Sequence, residues 1–157
     1  MLCLFAGGGG LYLGFTQAGF STALATDIEP SAAETFKINA SSAPFRLGDI
    51  RHFTMAQVRD VVGRSPVDVI IGGPPCQGFS TLGDQLQGDP RNSLFEAYAR
   101  MVRWVQPKCI LIENTSYLRS QYDGSYEREI RAALESLGYR VYVEFLNAGD
   151  YGVPQIR

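Results

Sequence analysis

Leu2-Cys3-Leu4-Phe5-Ala6-Gly7-Gly8-Gly9-Gly10 is the stretch on which the fold turns. The apolar run Leu2 to Phe5 reads as a buried strand, and the glycines that follow read as a turn where backbone can approach a ligand closely. Leu11, Phe15 and Ala18 then recur on one helical face, and Gly19 stops that helix. A strand passing straight into a helix through glycines opens a βαβ unit, and the free N–H groups of such a helix N-terminus favour a nucleotide-like ligand. A tight strand-to-helix turn with no ligand is the plainer alternative, although four successive glycines cost more chain entropy than such a turn requires.

Outward from this unit the chain alternates apolar runs with helical stripes, the pattern of a mostly parallel twisted sheet with crossover helices. A second strand is expected over residues 21–28, with Pro30 in the first turn of a helix over 31–38. Phe45–Leu47 reads as a short strand, and residues 67–71 form a bare apolar run of the kind buried on both faces of a sheet. Leu94, Tyr98, Met101 and Val105 keep helical spacing, with Ser93 and Glu96 placed as a capping box. Cys109–Ile112 is the next strand, Tyr126, Ile130, Ala133 and Leu137 mark a helix ending at Gly138, and residues 140–146 read as a sixth strand. Residues 83–92, polar and rich in Gly, Asp and Gln, read as a loop and a candidate lid.

The chain has 157 residues, which suits one α/β domain. Hydrophobic residues make up 45% and charged residues 19%, ordinary for a folded domain. No apolar run approaches the length of a membrane span, so a cytoplasmic protein without a membrane partner is expected. Three cysteines without a CxxC pair and a single histidine, His52, suggest neither disulfides nor a metal site. The net charge of −2 does not by itself support nucleic-acid binding, which normally brings clustered Lys and Arg.

Three further groups of residues carry chemistry. Asp27 ends the second strand where an acidic residue accepts hydrogen bonds from ribose hydroxyls. The dinucleotide fingerprint fails, however, because its third glycine falls at Tyr12; an adenosyl cofactor without a pyrophosphate suits the turn better. Gly72-Gly73-Pro74-Pro75-Cys76-Gln77-Gly78-Phe79-Ser80 follows the strand at 67–71, and its prolines stiffen the backbone just before Cys76, displaying the thiol as a nucleophile. Cys3 and Cys109, each inside an apolar strand, read as buried and inert. Glu113-Asn114 closes the neighbouring strand, where a carboxyl is poised for a raised pKa and acid work.

In order and content these residues resemble the C5 cytosine-specific DNA methyltransferases over essentially the whole chain. Leu4 to Gly10 with Gly14-Phe15 and Ala18-Gly19 is similar to that family's first cofactor motif, and Asp27 stands at its ribose-binding acid. Gly48-Asp49-Ile50 resembles the motif whose Asp contacts the adenine amino group, and Pro74-Pro75-Cys76-Gln77 resembles the catalytic motif. Asp89-Pro90-Arg91-Asn92-Ser93-Leu94-Phe95 is similar to a further motif in which Leu94 borders the cofactor. Glu113-Asn114-Thr115 resembles Glu-Asn-Val, and Gln155-Ile156-Arg157 the start of Gln-x-Arg-x-Arg. Cys3 replaces a common aspartate and Thr115 the usual valine.

The resemblance implies a Rossmann-like S-adenosylmethionine-dependent methyltransferase fold, α/β with helices on both faces, truncated before its last strand and lacking a target-recognition domain. It implies Cys76, Glu113, Asn114, Gln155 and Arg157 as the catalytic set. It assigns the S-adenosyl-L-methionine contacts to Phe5, Gly7, Gly9, Gly10, Leu11, Asp27, Ile28, Asp49, Ile50, Pro74 and Leu94. The substrate implied is double-stranded DNA with its target cytosine flipped out, the DNA-reading surface lying in a missing segment or a C-terminal partner chain. An RNA cytosine methyltransferase of the same family, or an inactive or split cofactor-binding module, are the competing expectations.

Overall fold

The computed structural model describes residues 1–63, 66–75, 93–116, 118 and 124–155. Five strands form one sheet: β1 (Leu2–Leu4), β2 (Leu24–Asp27), β3 (Phe45–Leu47), β4 (Val69–Gly72) and β5 (Cys109–Ile112). Their spatial order is β3-β2-β1-β4-β5 and every described pairing is parallel. The connection therefore reverses direction at β1, and in open α/β sheets the crevice at such a switch point is where ligands bind. Leu4 pairs with Thr26 and Gly72, Gly72 with Ile112, and Asp27 with Leu47, so the residues after these strands meet along one rim.

The chain divides into two compact units, Met1–Thr115 and Ser116–Arg157. In the first, successive strand residues point to opposite faces of the sheet. Cys3, Ala25, Val69 and Ile71 build one core with Phe36 and Ala40, against which Leu11, Tyr12 and Phe15 pack. These come from α1 (Gly10–Gln17) and α2 (Pro30–Asn39), whose Phe36 ring stands 4.9 Å from Tyr12 and 4.8 Å from Phe45. On the other face the fully buried Tyr98 of α4 (Ser93–Val105) reaches Gly72, so helices cover both faces. In the second unit α5 (Ser125–Ser136) buries Tyr126, Ile130 and Leu134, one face at helical spacing.

Four sequence expectations need correction. Residues 140–146 form no strand; Val141 and Val143 are half-buried between exposed neighbours, the alternation of an extended segment, but it has no ladder partner among the described residues. In place of a ladder bond, the Val141 carbonyl accepts from the Arg131 guanidinium at 2.8 Å. Cys109 is exposed rather than buried, because among the described residues β5 has a neighbour only on its β4 side. An eight-residue helix, α3 (Met55–Val62), was not anticipated; Thr54 and Gln57 form its capping box. β1 stops at Leu4, since Phe5 turns to φ 53°. The helix beginning at Ser93 is observed as expected, whereas the loop at 83–92 lies outside the described residues.

Candidate functional site at the sheet rim

Beyond Leu4 the backbone bends through positive φ at Phe5 (53°), Gly7 (53°) and Gly9 (97°), the last being the residue before α1. Only glycine tolerates such angles cheaply, and a Cβ on Gly9 would also come 3.2 Å from the Phe36 ring. Asp27 fastens this turn to β2: one carboxylate oxygen accepts the Gly7 N–H at 2.8 Å and the other the Glu29 N–H at 3.0 Å. The N–H groups of Gly8 and Gly10 have no protein partner among the described residues. Unpaired donors at a helix N-terminus, beside a carboxylate with lone pairs to spare, suit an adenosyl ligand, so the residues present fit the expected cofactor.

Asp49 lies one strand further out, before a 3₁₀ turn at Ile50–His52 that follows β3. Its carboxylate accepts from the Arg51 amide at 2.9 Å and from the Arg51 guanidinium, which holds it below the usual carboxylate range. From α4, Arg100 donates to the carbonyls of Ile50 at 3.0 Å and Arg51 at 2.8 Å, tying this turn to the helix that starts with Ser93 and Leu94. Ile50 is buried, Ile28 is exposed just after Asp27, and Leu94 is half-buried.

On the far side of β1, β4 runs into Gly73, the buried Pro74 and the exposed Pro75. Gly72 lets the strands close up, because a Cβ there would sit 2.5 Å from the Leu4 carbonyl oxygen. Glu113 leaves the neighbouring strand beside this corner, with its side chain 3.0 Å from a Cβ built on Gly73. Asn114 Nδ2 donates to the Pro74 carbonyl at 3.1 Å while its Oδ1 accepts the Thr115 N–H at 2.8 Å, so one amide ties both strand ends together. Glu113 is exposed.

The structure thus brings together the glycine turn with Asp27, and Pro74 with Glu113 and Asn114, along one rim. Cys76 and Arg157 lie outside the described residues, and Gln155 belongs to the second unit. Directly beneath the turn Cys3 is fully buried, and burial, with help from the Asp27 charge, pushes its thiol up to about 12, which removes it as a nucleophile at neutral pH. Arg100 and Asn39, which grip the rim from outside, carry no local signal, since their partners are distant in the chain. No three or more His, Cys, Asp and Glu residues gather as a metal site among the described residues.

The chain matches the family described as C-5 cytosine-specific DNA methylase over residues 1–157. It is 40% identical to the Type II methyltransferase M1.HphI of Haemophilus parahaemolyticus, over 98% of this chain and 42% of that protein. It is 44% identical to the Type II methyltransferase M.AgeI of Thalassovita gelatinovora, over 98% of this chain and 36% of that one. The chain therefore spans about two-fifths of the length of these curated relatives. A crystal structure described as a DNA modification methyltransferase encoded within a prophage (E. coli) superposes with a TM-score of 0.79 at 31% identity, covering 99% of this chain and 43% of that one.

Proposed function

The chain belongs to the C-5 cytosine-specific DNA methylases, and from that premise we propose that it is the cofactor-binding, nucleophile-bearing part of a DNA cytosine C5 methyltransferase. The observation that carries the reading is the rim itself. A glycine turn whose Gly8 and Gly10 N–H groups have no partner among the described residues lies with the Asp27 carboxylate on one side of the switch point, and the Pro74 corner, laced by Asn114 beside Glu113 and preceding Cys76 in sequence, lies on the other.

S-adenosyl-L-methionine, when bound, supplies an electrophilic methyl on its sulfonium. Asp27 would accept from the ribose hydroxyls, Asp49 from the adenine amino group, and Gly8 and Gly10 would donate backbone N–H groups. Phe5, Gly7, Gly9, Leu11, Ile28, Ile50, Pro74 and Leu94 would complete the contacts. Cytosine C5 is a poor nucleophile until the ring is activated. The Cys76 thiolate would add to C6 while Glu113 donates a proton to N3, making C5 enamine-like. After methyl transfer, loss of the C5 proton to water, expulsion of the thiolate and return of the N3 proton to Glu113 would restore the aromatic base. Asn114 would hold Glu113 and the Pro74 corner, with Gln155 and Arg157 near the base or its phosphate.

C6 is inaccessible inside a duplex, so the nucleotide must be flipped out. The name Type II methyltransferase borne by the relatives supports a role in restriction-modification, inside the cell. Among the described residues no helix is long and apolar enough to cross a membrane. The whole protein, with the length its relatives have beyond this match, is the setting for DNA recognition; this polypeptide alone is expected to bind cofactor weakly and to methylate nothing. The decisive experiment traps the complete protein on 5-fluorocytosine-containing DNA with S-adenosylmethionine. A covalent protein–DNA adduct is expected, lost in Cys76→Ser. An adduct that survives this substitution refutes the assignment.

A further inference from the structure

The glycine turn is held peptide by peptide. In the peptide between Ala6 and Gly7, the carbonyl accepts the Gly9 N–H at 2.9 Å and the N–H donates to Asp27 at 2.8 Å. In the peptide between Gly8 and Gly9, the N–H is that same Gly9 donor, and the carbonyl accepts Asn39 Nδ2 at 2.8 Å. Two planes are thus fixed at both ends. The plane between them, joining Gly7 and Gly8, and the N–H of Gly10 have no protein partner among the described residues. These are the groups a ligand can use.

Asn39 is the last residue of α2, and the same helix backs the turn. A Cβ on Gly8 would lie 3.2 Å from Thr35, and one on Gly9 3.2 Å from Phe36. Apolar backing limits how far the turn can sink but does not fix the rotation of a peptide plane; a hydrogen bond to its carbonyl does. Glycines sample both signs of φ when unrestrained, so without such a hold part of the binding free energy would be spent on ordering them.

We propose that Asn39 is a positioning residue for the adenosyl cofactor: by holding the Gly8 carbonyl it presents the Gly7–Gly8 peptide and the Gly10 N–H to the ligand, without touching the ligand itself. The proposal rests on the cofactor reading given above. Asp27 and Asn39 then divide the work, one gripping the turn from the end of β2 and the other from the end of α2.

The test titrates S-adenosylhomocysteine into the complete protein by calorimetry and follows amide hydrogen exchange at Gly9 by NMR. Asn39→Ala should weaken binding about three- to tenfold, the worth of one exposed hydrogen bond. Asn39→Asp, which sets a carboxylate against the Gly8 carbonyl, should weaken it further. Gly9 exchange should quicken in both, with exchange in β1 and β2 and the thermal midpoint of Asn39→Ala nearly unchanged. Lys37→Ala, on the same helix and exposed, should bind as the parent does.

If the complete parent protein fails to bind, or Asp27→Ala binds as tightly as the parent, the cofactor reading falls and this inference with it. If Asp27→Ala binds weakly while both Asn39 variants bind normally with Gly9 exchange unaltered, the inference alone is overturned. It is also overturned if Asn39→Ala loses affinity only in step with faster exchange throughout β1 and β2, which is the mark of a general packing role.

Discussion

On the β2 side of β1 the polar groups that shape the rim are held: Asp27 by two backbone amides, Gly8 by Asn39, Asp49 by Arg51, and the turn after Asp49 by Arg100. On the β4 side Glu113 is exposed, and the bond from Asn114 to Pro74 spans the corner. On the function proposed above, the difference follows what each side would do. A cofactor met in the same pose every cycle rewards a cradle fixed in advance, whereas an acid that must meet a base arriving from outside has to remain accessible. The two halves share one sheet but should fail separately.

The largest expected effect comes from the open half. Glu113→Gln keeps the side chain's shape and removes its proton, so methyl transfer by the complete protein should fall by about 10²–10⁴. Affinity for S-adenosylhomocysteine should stay within a factor of about two, less than a typical single hydrogen bond. Equal loss of both would show that the halves are one site rather than two. Gly72→Ala acts at the join: its Cβ would lie 2.5 Å from the Leu4 carbonyl oxygen and 3.2 Å from Tyr98, against backbone and a fully buried ring. A loss of roughly 3 kcal/mol in urea unfolding is expected, and both functions should decline together. Asp27→Ala acts on the closed half alone, removing one anchor of the turn and the proposed ribose acceptor. The dissociation constant should rise about ten- to a hundredfold, as for a lost charge-assisted hydrogen bond, with melting little altered.

The closed half was the more legible in sequence, for a physical reason. Strand, glycines and helix from Leu2 to Gln17, and again strand, Pro30 and helix to Asn39, are local patterns whose period and punctuation decide the structure. The acid at Asp27 could be placed because it ends a strand next to that turn. What binds the turn from outside could not: Asn39 meets Gly8 across 31 residues and Arg100 meets Ile50 across 50, contacts that only the tertiary fold creates. Cys109 was misjudged because apolar neighbours reveal a strand but not whether it has a partner on each side. The same ignorance of partners made residues 140–146 look like a strand. For α3 a signal existed in Thr54 and Gln57, the T-x-x-Q of a capping box, but eight residues give a short periodic pattern. Cys76, on which the chemistry turns, remains a reading of sequence, since it lies outside the described residues.

The mildest test concerns the ground beneath the turn. Cys3 pairs with Ala25 on one side and Ile71 on the other, so its thiol sits under the line dividing the two halves. Burial, then the charge of Asp27, raises its pKa from 9.0 to about 12, with the Tyr12 amide pulling weakly the other way. A thiol whose folded pKa is raised keeps its proton in the native chain over a range where the unfolded chain has lost it. The native state then binds more protons, and stability falls as pH rises. Below pH 9.0 the group contributes no pH dependence; between 9.0 and about 12 it should subtract stability at up to about 1.4 kcal/mol per pH unit. Urea midpoints measured across that window should therefore slope downward in the parent and flatten by this amount in Cys3→Ala, whatever that variant's baseline cost. Cys109, exposed on β5, should react with a thiol reagent in the folded protein while Cys3 stays silent. A Cys3 that labels as fast as Cys109 at neutral pH would mean that the floor under the glycine turn opens to water, and the contrast between a fixed cradle and an open catalytic corner would lose its foundation.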